Sequence, residues 1–217
     1  MASLRTIAKS ISLALSYLRL SPHLCAMLCA LRWHPNRDLI RLDLERWIAS
    51  AFFAEKRPER YSAHYFFIRL MSEKPEYRTL FYYRLGPFRK LLSPLCSPMS
   101  TLYLYTDNIG PGLFIQHGFS TIVCAKSIGK NCWINQQVTI GFSNGTDSPT
   151  LGDNVMICAG AKVIGNVHIG DNSVIGANAV VVKDIPANCT AVGIPAKVIR
   201  CNGARVNPER VRADIAA

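Results

Sequence analysis

Acidic charge is scarce in this chain: 14 Asp and Glu stand against 25 Lys and Arg in 217 residues, and only 18% of all residues are charged. Long hydrophobic runs are missing as well. The longest uncharged stretch of the N-terminal region, Leu20 to Leu31, has 12 residues, whereas a bilayer span needs about 20. Arg19 precedes it, and Pro22 and His23 interrupt it, so a multi-span membrane protein is excluded and no export signal is expected. Cys-x-x-Cys is absent too, although there are eight cysteines (25, 29, 96, 124, 132, 158, 189 and 201). That spacing argues against a disulfide framework and for reduced thiols in a cytoplasm.

The basic excess is unevenly placed. Residues 1–90 hold 16 Lys and Arg against 7 Asp and Glu, and residues 91–217 hold 9 against 7. A basic, apolar segment can meet an anionic membrane surface or another polyanion, because clustered cations release counterions there. No nucleic-acid-binding motif accompanies it, so nucleic acid is not expected as a partner. The localisation expected is cytoplasmic, peripheral to the inner face of the membrane.

Up to residue 92 apolar residues recur three and four apart, as in Leu4, Ile7, Ile11, Leu15 and Leu18, which predicts helices. Pro22, Pro35, Pro58, Pro75 and Pro87 are the expected boundaries, since proline removes a helix hydrogen bond and restricts the residue before it. Tyr77, Phe81, Tyr82 and Tyr83 close this part as core aromatics. Residues 93–108, with Pro94 and Pro98, read as a linker.

Then the period changes to six. Ile128, Ile134 and Ile140, and after one interruption Leu151, Ile157, Val163, Ile169, Ile175 and Val181, form one apolar register. Four residues behind it run Cys132, Val138, Val155, Ala161, Val167, Ser173 and Ala179, all small or β-branched. Asp153-Asn154 and Asp171-Asn172 lie between them, where left-handed conformations let the chain turn. Six residues thus make one short strand and one corner, and three such units close an 18-residue triangular coil. The fold class is therefore α+β: a helical segment (1–92), a linker (93–108), a parallel β-helix (109–200) and a C-terminal tail (201–217). The repeat falters at residues 141–150, which must bulge outward, and around His117.

The segments Ile109-Gly110-Pro111-Gly112-Leu113-Phe114-Ile115-Gln116-His117-Gly118, Gln136-Gln137-Val138-Thr139-Ile140-Gly141, Ala159-Gly160-Ala161-Lys162-Val163-Ile164-Gly165-Asn166 and Gly193-Ile194-Pro195-Ala196-Lys197-Val198 resemble those of the hexapeptide-repeat acyltransferases, in the serine acetyltransferase-like branch that includes relatives from polysaccharide gene clusters. The resemblance implies a left-handed β-helix, acetyl-CoA as co-substrate and no metal. It also implies a homotrimer with the cofactor between neighbours, with a dimer of trimers through the helical domain as a further assembly.

It places the general base on His117. The chemistry agrees, because an alcohol attacks a thioester only if a base takes its proton, and imidazole suits that near neutral pH. His168, at a corner of an intact repeat, reads as exposed and structural. On the acceptor side Gln116, Asn135 and Gln136 are the candidates to hold the oxyanion. Around the cofactor, Ala159, Gly160 and Ala177 are expected along the pantetheine arm, and Lys183 and Lys197 at the phosphates. The resemblance breaks at three places. Gln116 stands where an acidic residue precedes the histidine, the outer loop has Asp147-Ser148 instead of an Arg-His pair, and Leu102 occupies the place of the orienting aspartate, for which Asp107 is the candidate substitute. The expected acceptor is therefore a sugar hydroxyl of surface polysaccharide, with serine as the alternative. Zinc-dependent β-helix hydratases need three histidines, and only His117 and His168 lie in the repeat. A non-catalytic scaffold is the remaining reading.

Overall fold

The computed structural model describes residues 4–51 and 62–206, with side chains from Ile11 onward. The chain divides into two compact units, residues 1–99 and 100–217.

The first unit is helical: α1 (Leu4–Trp33), α2 (Arg37–Ala51), α3 (Ala63–Glu73) and α4 (Pro75–Leu85), then a 3-10 turn (Gly86–Phe88) and a short α5 (Arg89–Leu92). Pro35, Pro75 and Pro87 fall at element ends as their chemistry requires, and Pro58 lies outside the described residues. Pro22 does not: it sits inside α1, contrary to the boundary expected there. The carbonyl of Leu18 loses the N–H that proline lacks, and the Ser21 hydroxyl donates to it instead at 2.9 Å, so the helix continues. The core holds Trp47 edge-on to Tyr77 (5.4 Å) and Phe67 against Phe81 (5.2 Å). Three buried polar contacts fix the packing. Arg84 pairs with Asp43 at 2.8 Å, and Tyr82 donates its hydroxyl to the carbonyl of Cys96 at 2.6 Å while contacting His23 Nε2 at 2.7 Å. Because the tyrosine proton is committed to Cys96, His23 is the donor on Nε2. Burial lowers the His23 pKa below its ordinary 6.5, which keeps the ring neutral.

The second unit is a left-handed parallel β-helix of about five coils. The first contains β1 (Leu102–Leu104) and β2 (Phe114–Ile115), the second β3 (Thr121–Val123), β4 (Ser127–Ile128) and β5 (Trp133–Ile134), and the third β6 (Thr139–Gly141), β7 (Thr150–Leu151) and β8 (Met156–Ile157). The fourth holds β9 (Lys162–Ile164), β10 (His168–Ile169) and β11 (Val174–Ile175), and the fifth β12 (Val180–Val181) and β13 (Cys189–Val192). Strands stack into three faces, β1-β3-β6-β9-β12, then β4-β7-β10, then β2-β5-β8-β11-β13. The Ile109–Ile128 and Ile169–Ile185 bridges extend the second face. The first coil thus starts at Leu102, within the stretch read as a linker. All nine residues of the first apolar register are at most 2% exposed, and each such Ile, Leu or Val contributes about 1.5–3 kcal/mol by leaving water. In the second register Ser173 is also buried, with its hydroxyl donating to the carbonyl of Pro186 at 2.7 Å.

At the C-terminal end β14 (Lys197–Cys201) folds back antiparallel on β13, and β15 (Ala204–Arg205) pairs with β14. That hairpin sets Cys189 opposite Cys201, Cα atoms 4.2 Å apart, and the two form a disulfide. The expectation of eight free thiols is corrected here. The two cysteines are 12 residues apart in sequence, and only the reversal of the chain, which the repeat does not announce, brings them together.

Candidate active site

Three columns of corners run along the prism. Register shows where each departs from the regular repeat. Ile157 pairs with Ile175 and Val163 with Val181, the 18-residue step of an unbroken coil. Ile115 pairs with Ile134, 19 residues on, but Val123 pairs with Ile140, only 17 on. The corner from the third face back to the first therefore holds two extra residues in the first coil. His117 lies in this bulge, exposed and at φ +60°, with its carbonyl accepting the Phe119 amide. The imidazole makes no hydrogen bond among the described residues.

Below His117 the same corner column carries most of the expected site. Backbone bonds from Gln116 to Ile134, Asn135 to Ile157, Cys158 to Ile175 and Gly176 to Ala191 (2.8–3.0 Å) stack the first corner residues of successive coils. The next position is Gln136, Ala159 and Ala177, joined by Gly160 N–H to the Gln136 carbonyl (3.0 Å) and Asn178 N–H to the Ala159 carbonyl (2.9 Å). Gln137, Gly160 and Asn178 follow with positive φ. A Cβ on Gly160 would overlap the Asn178 side-chain oxygen, so a side chain there would displace Asn178. Asn178 was not foreseen, although its place in the positive-φ column is readable from the repeat. Lys197 follows this corner at the C-terminal end.

Asp107 and Lys183 stand elsewhere. Both lie on the corner from the first face to the second, Asp107 between β1 and Ile109 and Lys183 between β12 and Ile185. Within one chain they do not join His117, because the first face of the prism separates their corner from the His117 corner. The outer loop, 142–149, bulges from that same column. Its shape is set by Asp147, which accepts the amides of Ser143 and Asn144 (both 2.9 Å) and the Ser143 hydroxyl. The Ser143 hydroxyl holds the carboxyl below the usual aspartate range.

The His117 column leaves polar groups open. Ala159 and Ala177 donate their amides to no acceptor among the described residues, and the side-chain oxygen of Gln136 is buried without a partner. At the corner from the second face to the third, the equivalent positions Lys130 and Asp153 have their amides bonded by the next coil's Asp153 (2.9 Å) and Asp171 (2.7 Å). Asn154, Asn172 and Asn188 then ladder side chain to side chain at 3.0 Å. The open column fits an extended amide-bearing chain such as pantetheine, whose carbonyls can accept the free N–H groups and whose N–H groups can reach Gln136. Burial pushes the Cys158 thiol up, so it is protonated at neutral pH and unsuited to act as a nucleophile. Among the described residues no group of three or more His, Cys, Asp or Glu gathers in the manner of a metal site.

Residues 148–183 match the bacterial transferase hexapeptide (six repeats) family. A serine acetyltransferase of Synechococcus elongatus is 42% identical over 134 residues, 59% of this chain and 55% of that protein. One from Staphylococcus aureus is 45% identical over 102 residues, 45% of this chain and 48% of that protein. The chain thus spans about half the length of these relatives. Among solved structures, the Brucella abortus serine acetyltransferase in complex with coenzyme A is 25% identical with a TM-score of 0.58, covering 80% of this chain and 72% of that one. The Neisseria gonorrhoeae enzyme in complex with serine is 27% identical with a TM-score of 0.55, covering 74% and 67%. In its repeats and its fold the chain is similar to the hexapeptide-repeat acyltransferases, on their serine acetyltransferase-like branch.

Proposed function

We propose that the protein transfers an acetyl group from acetyl-CoA to the hydroxyl of a small acceptor, with serine the acceptor that its relatives support. The observation that carries this reading is the open corner column: His117 at its head, and two unbonded amides and a buried, unpartnered glutamine oxygen beneath it. The pantetheine arm lies along Gln136, Ala159, Gly160 and Ala177, and Lys197 meets the phosphates. His117 takes the acceptor's proton as its oxygen attacks the thioester carbonyl. The carbon–sulfur bond then breaks, and the imidazolium returns the proton to the departing thiolate of CoA, so that no acyl-enzyme is needed. Gln116 or Asn135 steadies the oxyanion. Three chains assemble side by side, each lending its outer loop to a neighbour's site in a cytoplasmic trimer.

A sugar of surface polysaccharide is the second reading for the acceptor, and the relatives, named serine acetyltransferases, lend it no support. What favours it is local. The zwitterion of serine calls for a carboxylate and a cation, yet Gln116 is neutral, the 142–149 loop has no basic residue, and Asp147 is committed within the loop. Losing both contacts costs several kcal/mol of recognition. Release of CoA from acetyl-CoA, measured with L-serine and with a panel of sugars, tests both readings. Saturating turnover of serine as the best substrate removes the sugar, and no release with any hydroxyl acceptor removes acetyl transfer.

A further inference from the structure

Helix α1 carries two apolar stripes. One, Leu20, Met27 and Ala30 with the buried His23, packs into the helical core. The other runs Ile11, Leu15, Leu18, Cys25, Cys29 and Trp33 at steps of three, four and seven along the helix, and all six are exposed, Leu18 at 75% and Trp33 at 74%. Its end is continuous with a groove of about 720 Å³ floored by the α1–α2 turn and by Phe88, Leu91 and Leu95 beyond α4. Leu91 is 78% exposed. No Asp, Glu, Lys or Arg side chain lines the groove, and His34 is its one imidazole. Cations stand beside it instead: Arg19, Arg32, Arg89 and Lys90 are exposed and form no ion pair among the described residues. The exposed acidic residues of α2, Asp38 and Glu45, are engaged with Arg37 and Arg41, and the buried Asp43 with Arg84.

We propose that this face of the helical unit docks in the plane of an anionic lipid surface. Exposed large apolar side chains ringed by unpaired cations match the acyl boundary and the headgroups of such a membrane. A second copy of the chain fits less well, because two such faces meeting would oppose like charges. The segment Ile11–Trp33 has the length and apolarity of a span, but crossing a bilayer would pull Leu20, His23 and Met27 out of their own core and strip His23 from Tyr82. The helix therefore lies along the interface and keeps its inner stripe packed.

The test uses the full chain and does not depend on catalysis. Co-sedimentation is measured with phosphatidylcholine vesicles and with vesicles of about one-third phosphatidylglycerol, at low and high salt. Binding is expected only to the anionic vesicles and to weaken with salt. The double substitution Arg89→Glu/Lys90→Glu, at exposed positions, is expected to weaken it on the order of 10-fold or more, and Trp33→Ser/Leu91→Ser to abolish it, with circular dichroism unchanged. Absence of binding by the folded chain, or binding indifferent to both double variants, overturns the proposal. So does sedimentation velocity in which Trp33→Ser/Leu91→Ser halves the assembly, which would make the face an interface between copies.

Discussion

Two corner columns of one β-helix share a backbone but differ in what their side chains do with it. On the column from the second face to the third, the second corner residue is Lys130, Asp153 or Asp171, and the aspartates bond the amides of the preceding coil. On the His117 column the same place is taken by Gln136, Ala159 and Ala177, and the alanine amides stay open. Two amides of the first edge, those of Lys130 and Asp153, are thus sealed by aspartate, whereas the alanines of the other edge leave theirs open. The proposed function rests on what that corner omits.

The largest effect is expected where the receptive column is headed. His117→Ala should lower kcat for acetyl transfer by about 10²–10⁴-fold, the usual contribution of a general base. CoA affinity by calorimetry should be nearly unchanged, because the bulge projects from the column and the remaining corners stay intact. A variant with wild-type turnover would remove the base from His117. Next comes the direct exchange of the two edges. Ala177→Asp should bond the Ala159 amide as Asp171 bonds that of Asp153. CoA binding is expected to weaken roughly 10–100-fold, by a blocked amide and an added negative charge near the thioester arm, while thermal stability holds. Unaltered CoA affinity would place the cofactor on another edge.

How far the sequence foretold this differs by region. The apolar rungs were legible because six-residue periodicity imposes one residue type on each inward place, from Ile128 to Val181. The first coil was hidden by its two extra residues before Thr121, which shift Leu102 out of register with the repeat. Pro22 misled because its helix is rescued by a neighbour's hydroxyl, a contact with no pattern of its own. His117, Ala159 and Gly160 stand in the motifs that carry the resemblance, and the resemblance also implied Ala177. That Ala159 and Ala177 share a column follows from counting by 18, but joining them to His117 and separating Asp107 and Lys183 from it need the observed register, which steps by 19 from Ile115 to Ile134 and by 23 from Ile134 to Ile157. The open amides were not legible, since they depend on which carbonyl each N–H faces.

The sealed edge provides the smaller tests. Asp171→Ala should free the Asp153 amide and cost about 1 kcal/mol, lowering the melting temperature of the β-helix by about 2–4 °C with CoA binding intact. A loss of CoA binding instead would mean that the two columns are not independent.

The smallest effect concerns acid. The Asp153 carboxyl lies below the ordinary aspartate value of 3.8, chiefly because it accepts the Lys130 amide and then because of the Lys130 ammonium at 3.2 Å. The unfolded chain therefore takes up this proton first. The stabilisation from Asp153 is complete above pH 3.8 and is lost as pH falls through the lower folded value. The His117 column has no carboxylate at the equivalent places and should contribute nothing in that range. Melting temperatures between pH 5 and pH 2.5, about 1.3 units either side of an ordinary aspartate, should fall less steeply for Asp153→Asn than for the wild type. Parallel curves would mean that the exposed carboxylate is screened by solvent and that the amide bond is held by geometry alone.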